Sequence, residues 1–230
     1  MITKRSSEDR GPTDIGWLKS MHSFSFGGYH DPKHMGFSEL RVINEDRVAP
    51  AAGFETHPHK NMEIISYVLS GELAHKDSMG NGSSIKPGDI QIMSAGSGVT
   101  HSEFNVSNAN EVHFLQIWVT PNVQNQEPSY QQKSINFDDI NNQFVTVISP
   151  DQADEALHIK QDAKMMIGQF SADIEHALDP KLNYWAQIAQ GSGTINGHAA
   201  EAGDGFALSE ENKIKVRPEN DLEILLFELP

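Results

Sequence analysis

The sequence predicts an all-β protein, a barrel or sandwich, and three observations carry that prediction. Seven or more short runs rich in β-branched and aromatic residues follow one another, separated by Gly, Pro and Asn turns. Helical periodicity is almost absent along the chain. Strand and turn signals of the first half return in the second, with Gly88 and Gly203 about half the chain apart. A chain of 230 residues is long for one domain and comfortable for two of about 100 each.

In order, the Phe24/Phe26 alternation reads as a short strand ended by Gly27-Gly28, and His30-Asp31-Pro32 as a turn. Ser38 to Ile43 reads as a strand, followed by the polar Asn44-Glu45-Asp46. Ile64 to Leu69 is apolar and β-branched, the pattern of a buried strand. Glu72 to Lys76 and Ser84 to Lys86 flank a hairpin turn rich in residues that accept positive φ. Ile90 to Met93 alternates, and Val112 to Val119 closes this half, with Val112, Phe114, Gln116 and Trp118 on one face. The polar stretch 120–143 reads as a linker. Phe144 to Ser149 and Lys164 to Phe170 are strands, and 151–157 is either one helical turn or an acidic loop.

The chemistry gathers in two stretches. Gly53 to Glu63 holds His57, His59 and Glu63, and Gly96 to Asn105 holds His101 and Glu103. On an extended chain, residues two apart share a face about 7 Å apart. A single His-x-His is common surface decoration. A second co-facial pair, His-x-Glu, on a neighbouring strand brings four donors together: His57, His59, His101 and Glu103. Three imidazoles and a carboxylate suit Fe(II), Ni(II), Cu(II), Mn(II) or Zn(II) better than Mg or Ca. Pro58 between the two histidines fits a strand edge at a barrel mouth.

Composition narrows the alternatives. Net charge is −15, from 17 basic and 32 acidic residues, which disfavours nucleic acid and anionic membrane surfaces as direct partners. There is no cysteine, so disulfides, thiolate metal sites and thiol nucleophiles are excluded. The charged N-terminus lacks the apolar core of a secretory signal, and no apolar run is long enough to span a membrane, so a cytoplasmic location is expected.

The second half repeats the scaffold without the donors. Asn183 to Gly191 parallels Asn61 to Gly71, and Ala202 to Phe206 parallels Pro87 to Gln91. Where His101 should recur stands Asn212-Lys213-Ile214-Lys215, and no His-x-His precedes Trp185. His158, His176 and His198 are isolated, so this half reads as a lid or packing partner. His22, His30 and His34 match no strand-borne pair and read as loop or packing residues, with His22 the strongest candidate among them for a further role.

Taken together, Gly-x3-His-x-His-x3-Glu and the later Gly88-x5-Ser94-x-Gly96-x4-His101-x3-Asn105 resemble the two cupin motifs. The blocks Ser23 to Gly27, Leu40 to Asn44, His57-Pro58-His59, Asn61-Met62-Glu63, His75 to Asn81 and His101-Ser102-Glu103 resemble the pirin family, in particular its short bacterial members known as quercetin 2,3-dioxygenases. The resemblance implies a bicupin of two tandem antiparallel barrels, a metal-binding one over 1–130 and a degenerate one without a metal site over 131–230. It implies one divalent metal, usually iron, with Ni, Cu, Mn, Co or Zn as alternatives, on His57, His59, His101 and Glu103. General cupins use a glutamate placed like Glu63 and pirins one placed like Glu103. The chain has both, and Glu103 is expected as ligand, with Glu63 bracing an imidazole from behind. The implied activity is cleavage of a flavonol by O2 with release of carbon monoxide, Glu103 or failing that Glu63 taking the substrate proton. Phe54, Phe104 and Trp118 are candidate walls for a flat substrate. A monomer is expected. The family also contains metal-bearing proteins that act as redox-sensitive partners of other proteins, which leaves a protein partner as the competing reading.

Overall fold

The computed structural model describes residues 1–152 and 155–230, so the helical turn or acidic loop expected at 151–157 lies partly outside the described residues. β1 (Ile2–Arg5) opens the chain. β2 (Gly11–Asp14), β3 (Leu18–His22), β4 (Leu40–Val48), β5 (Gly53–His59), β6 (Glu63–Ser70) and β7 (Leu73–Asp77) follow. Next come β8 (Gly82–Ile85), β9 (Asp89–Ser94), β10 (Val99–Asn105), β11 (Val112–Val119) and β12 (Ser129–Ser134). The remainder forms β13 (Val145–Ser149), β14 (Leu157–His158), β15 (Lys164–Phe170), β16 (Ile174–Ala177) and β17 (Asn183–Gln190). It ends with β18 (Ser192–Ile195), β19 (His198–Glu201), β20 (Gly205–Ser209), β21 (Lys213–Pro218) and β22 (Leu222–Leu229). No helix among the described residues is long and apolar enough to cross a membrane.

The chain divides into two compact units. One comprises Gly11–Ile135 with Ile159–Gln161, the other Met1–Arg10, Asn136–His158 and Asp162–Pro230. These limits differ from 1–130 and 131–230 because β1 pairs antiparallel with β20 and so covers the edge of the C-terminal unit's larger sheet.

Each unit is built from a seven-stranded and a four-stranded sheet. In the N-terminal unit the orders are β12-β9-β6-β11-β4-β3-β2 and β5-β10-β7-β8. In the C-terminal unit they are β1-β20-β17-β22-β15-β13-β14 and β16-β21-β18-β19. The four-stranded sheets of the two units follow the same chain logic, as the internal echo predicts. Their interiors differ. Ile214 and Val216 of β21 are buried in an apolar core with Ile195, Phe206, Ile224 and Leu226, whereas β10, at the matching place, buries His101 and Glu103.

Three local expectations are corrected. The strand near Phe24/Phe26 lies earlier, over Leu18–His22, and Phe26 and Tyr29 instead bridge the Gly27-Gly28 turn. β4 does not stop at Asn44. It runs to Val48, burying Leu40, Val42, Asn44, Asp46 and Val48 on its inward face. The polar triplet at 44–46 is strand because this barrel's interior is itself polar there. The stretch 120–143 is not wholly linker, since β12 pairs with β9 from Ser129 to Ser134.

Gly53 shows how closely β5 and β10 approach. A Cβ there would sit 2.3 Å from the Glu103 carbonyl oxygen and 2.6 Å from Phe104 Cα, distances that only glycine tolerates.

A candidate metal centre in the N-terminal barrel

Three adjacent strands present period-two pairs of polar side chains. β5 carries His57 and His59, β10 carries His101 and Glu103, and β7 carries His75 and Asp77. The register sets His101 beside His57 on one side and Asp77 on the other, and Glu103 beside His75. Between His101 and Glu103 the pairing with β5 slips, so that Glu103 stands opposite Phe54. This bulge falls at Glu55-Thr56, and the Glu55 carbonyl lies 2.7 Å from Nδ1 of His57.

One nitrogen from each of His57, His59 and His101 lies within 4.8 Å of the others. His75, His101 and Glu103 form a second, overlapping group within the same limit. Among the described residues, both groupings of three or more potential ligands fall in this barrel. Glu63 belongs to neither. Its buried carboxylate accepts hydrogen bonds from Ser94 Oγ at 2.7 Å and from the Lys160 amide at 3.2 Å, tying residues 159–161 to the barrel.

The donor set fits a transition metal. The Glu55 carbonyl takes the Nδ1 proton of His57 and leaves Nε2 as the ligating atom. Nε2 of His101 is buried and has no hydrogen-bond partner among the described residues. That is a costly arrangement without a ligand for its lone pair. Burial, with His57 close by, holds His59 down at about 4. Burial, then His57, His59 and His75, lowers His101 to about 3. Both imidazoles are therefore neutral and their lone pairs available at pH 7.

Behind these ligands runs a chain of supporting contacts. Nδ1 of His101 is 3.4 Å from Nδ1 of His75, and Nε2 of His75 is 3.2 Å from Asp77 Oδ2. With Nε2 of His101 free to ligate, its Nδ1 proton points at His75, whose own proton then points at Asp77. Tyr130 stacks on His75 with ring centroids 4.8 Å apart. His75→Ala removes the acceptor and is expected to weaken metal binding about 10- to 100-fold, as read by chelator competition.

Glu103 is held from the opposite sheet. Its carboxylate accepts from Gln116 Nε2 at 2.7 Å and from Ser66 Oγ at 3.2 Å. Burial pushes its pKa up, while His75, Gln116, Ser66 and His57 act to lower it. Gln116 and Ser66 belong to one polar rung that crosses the large sheet. Gln91 pairs with Ser66, Ser66 with Gln116, Gln116 with Asn44, and Asn44 with His22. All five are buried. Sequence reasoning misses this rung apart from placing Gln116 on a face with Trp118 and singling out His22 among the scattered histidines. The available signal is the continued alternation of β4 through Asn44 and Asp46.

His57 and His59 line a cavity of about 770 Å³, within the usual range for small-molecule sites. Phe54, Phe104 and Trp118 line it as expected, joined by Trp17 and Phe26. Trp118 packs edge-on against His59 at 4.9 Å and against Phe26 at 5.2 Å. Its Nε1 donates to Gln116 Oε1 at 3.3 Å.

Fold and cluster define a two-barrel protein of the cupin type, with a histidine-rich candidate metal centre in the first barrel. Residues 3–119 match the Pirin family, and residues 146–229 match the quercetinase C-terminal cupin domain. The chain is 43% identical to a quercetin 2,3-dioxygenase of Escherichia coli K12, covering all of this chain and 99% of that one. It is 37% identical to a pirin-like protein of Caulobacter vibrioides, covering 99% of each. The crystal structure of the bacterial pirin YhhW in complex with nickel(II), from Escherichia coli, superposes with a TM-score of 0.95 at 41% identity, covering 100% of this chain and 99% of that one. The chain belongs to the pirin family.

Proposed function

We propose that this protein is a metal-dependent dioxygenase that cleaves flavonols such as quercetin, with an Fe(II) ion held by His57, His59, His101 and Glu103. The observation that carries the reading is the buried, unpartnered Nε2 of His101, set among two more imidazoles beside an aromatic-lined cavity. The full-length likeness to a quercetin 2,3-dioxygenase supports the choice of substrate class. Such an ion supplies Lewis acidity toward the ionised 3-hydroxyl of a flavonol and the redox capacity to engage O2.

The chain's own residues do the rest. Glu103, desolvated and steered by Gln116 and Ser66, accepts the proton of the 3-hydroxyl as the substrate enters. Burial disfavours its charged form, which suits a group that receives a proton. Trp118, Phe54 and Phe104 clasp a flat ring system and exclude water. Glu63, held by Ser94 and Lys160, acts as an anchor of the barrel rather than as the base.

The test is direct. Protein loaded anaerobically with Fe(II) is mixed with quercetin in air, and loss of the visible absorption band is followed. Turnover clearly above that of an equal concentration of free metal is expected. Failure with Fe, Ni, Cu, Mn and Co alike sinks the proposal.

A further inference from the structure

The metal chemistry above leaves part of the cavity wall unused. Beside the aromatic residues, the cavity is lined by Thr13, Ser20, His22, Asn44 and Asp46. His22 Nδ1 is 2.7 Å from Asn44 Oδ1, and its Nε2 is 2.9 Å from Thr13 Oγ1. These groups largely satisfy each other. Asp46 is different. The residue is 2% exposed, and Oδ1 has no hydrogen-bond partner among the described residues. It sits on the inward face of β4, one pleat beyond Asn44 and so about 7 Å further along. Asn44 in turn pairs with Gln116, which holds Glu103. The cavity thus has two poles: His57 and His59, which share the candidate metal centre with His101, and Asp46, whose Oδ1 needs a donor.

The geometry points to Asp46 as the anchor for a second hydroxyl of the substrate, one on a ring other than that bearing the metal-bound oxygen. The assignment rests on the flavonol reading above and deepens it, from any flavonol to a polyhydroxylated one. A carboxylate accepts hydrogen bonds and an ionised one cannot donate, so the group it takes carries an O–H or N–H. In a cavity walled by Trp17, Phe26, Phe54 and Trp118, the donor best matched to the wall is a phenolic hydroxyl. Burial pushes the Asp46 carboxyl up to about 7 against a hydrogen bond from Ser20, and the neighbouring Glu103 and Glu45 act in the same direction as burial. An incoming hydroxyl would relieve that cost at Oδ1.

The test is equilibrium binding, under argon, of quercetin and of 3-hydroxyflavone to Zn(II)-loaded protein, read by quenching of tryptophan fluorescence. 3-Hydroxyflavone keeps the hydroxyl that reaches the metal and lacks all the others. At pH 8, above the value of about 7 to which burial pushes the Asp46 carboxyl, wild-type protein should bind quercetin roughly 10- to 100-fold more tightly, the discrimination one charge-assisted hydrogen bond provides. Asp46→Leu should bring that ratio within about threefold while retaining zinc and the affinity for 3-hydroxyflavone. Should Asp46→Leu fail to fold, the isosteric Asp46→Asn is read instead, and at least a threefold fall in the ratio is expected. An unchanged ratio in the variant means that solvent, not substrate, satisfies Oδ1, and overturns the inference alone. If wild-type protein binds neither compound, the flavonol reading and this inference fall together.

Discussion

Replacing His101 with alanine is expected to abolish metal retention and, with it, any flavonol turnover. His101 supplies the buried nitrogen of the cluster and is the member shared by both ligand groupings. Its loss leaves His57 and His59, half-buried on one strand, and removes the member that links Glu103 to them. Changes behind a ligand cost about 10- to 100-fold in affinity, and removal of a ligand should exceed that. The fold should survive. The variant loses one side-chain hydrogen bond, the 3.4 Å contact to His75, while Nε2 has no partner among the described residues and the main-chain pairing with β5 and β7 is independent of the side chain. Metal content by plasma mass spectrometry, chelator competition and circular dichroism decide the matter together. A folded variant that keeps stoichiometric metal would place the ion elsewhere. His57→Ala should behave in the same direction.

The ligand residues are legible in the sequence because strand geometry converts a two-residue spacing into a shared face. His57/His59 and His101/Glu103 need only that rule and a neighbouring strand. The third pair, His75 and Asp77 on β7, carries the same spacing and is open to the same rule. It is masked because Asp77 also suits the start of a hairpin turn. The bulge at Glu55-Thr56 leaves no trace in composition, since it follows from how β5 is registered against β10. Asn44 and Asp46 pass for a strand end for a physical reason. A buried polar residue in a cavity and an exposed one in a turn have the same identity, and only continued alternation tells them apart. The duplication is legible from its turns, but the placement of the first ten residues is not, because an edge strand of four residues pairs with whichever sheet offers an open edge.

Asp46→Asn is expected to change the pH dependence of stability strongly. The carboxyl titrates near 3.8 when unfolded and at about 7 in the fold. Below the unfolded value both states hold the proton and the group has no effect. As pH rises above 3.8 the unfolded chain releases its proton first, so the folded state becomes progressively less favoured. The cost is complete once pH passes about 7. A difference of that size, at about 1.4 kcal/mol for each pH unit, amounts to about 4 kcal/mol. The carboxyl is fully buried, so solvent does not screen it away. Asparagine has nearly the same shape and does not titrate. The variant should therefore gain on the wild type by about 3 kcal/mol between about pH 5 and pH 8, in urea unfolding of chelator-treated protein. A gap that stays flat with pH would mean that the carboxyl finds its own donor in the free protein. A wild-type cost that shrinks when quercetin is present, with no matching change in the variant, would identify the donor as the substrate. A group that destabilises the empty barrel at neutral pH and is relieved by a ligand is placed for binding, not for folding.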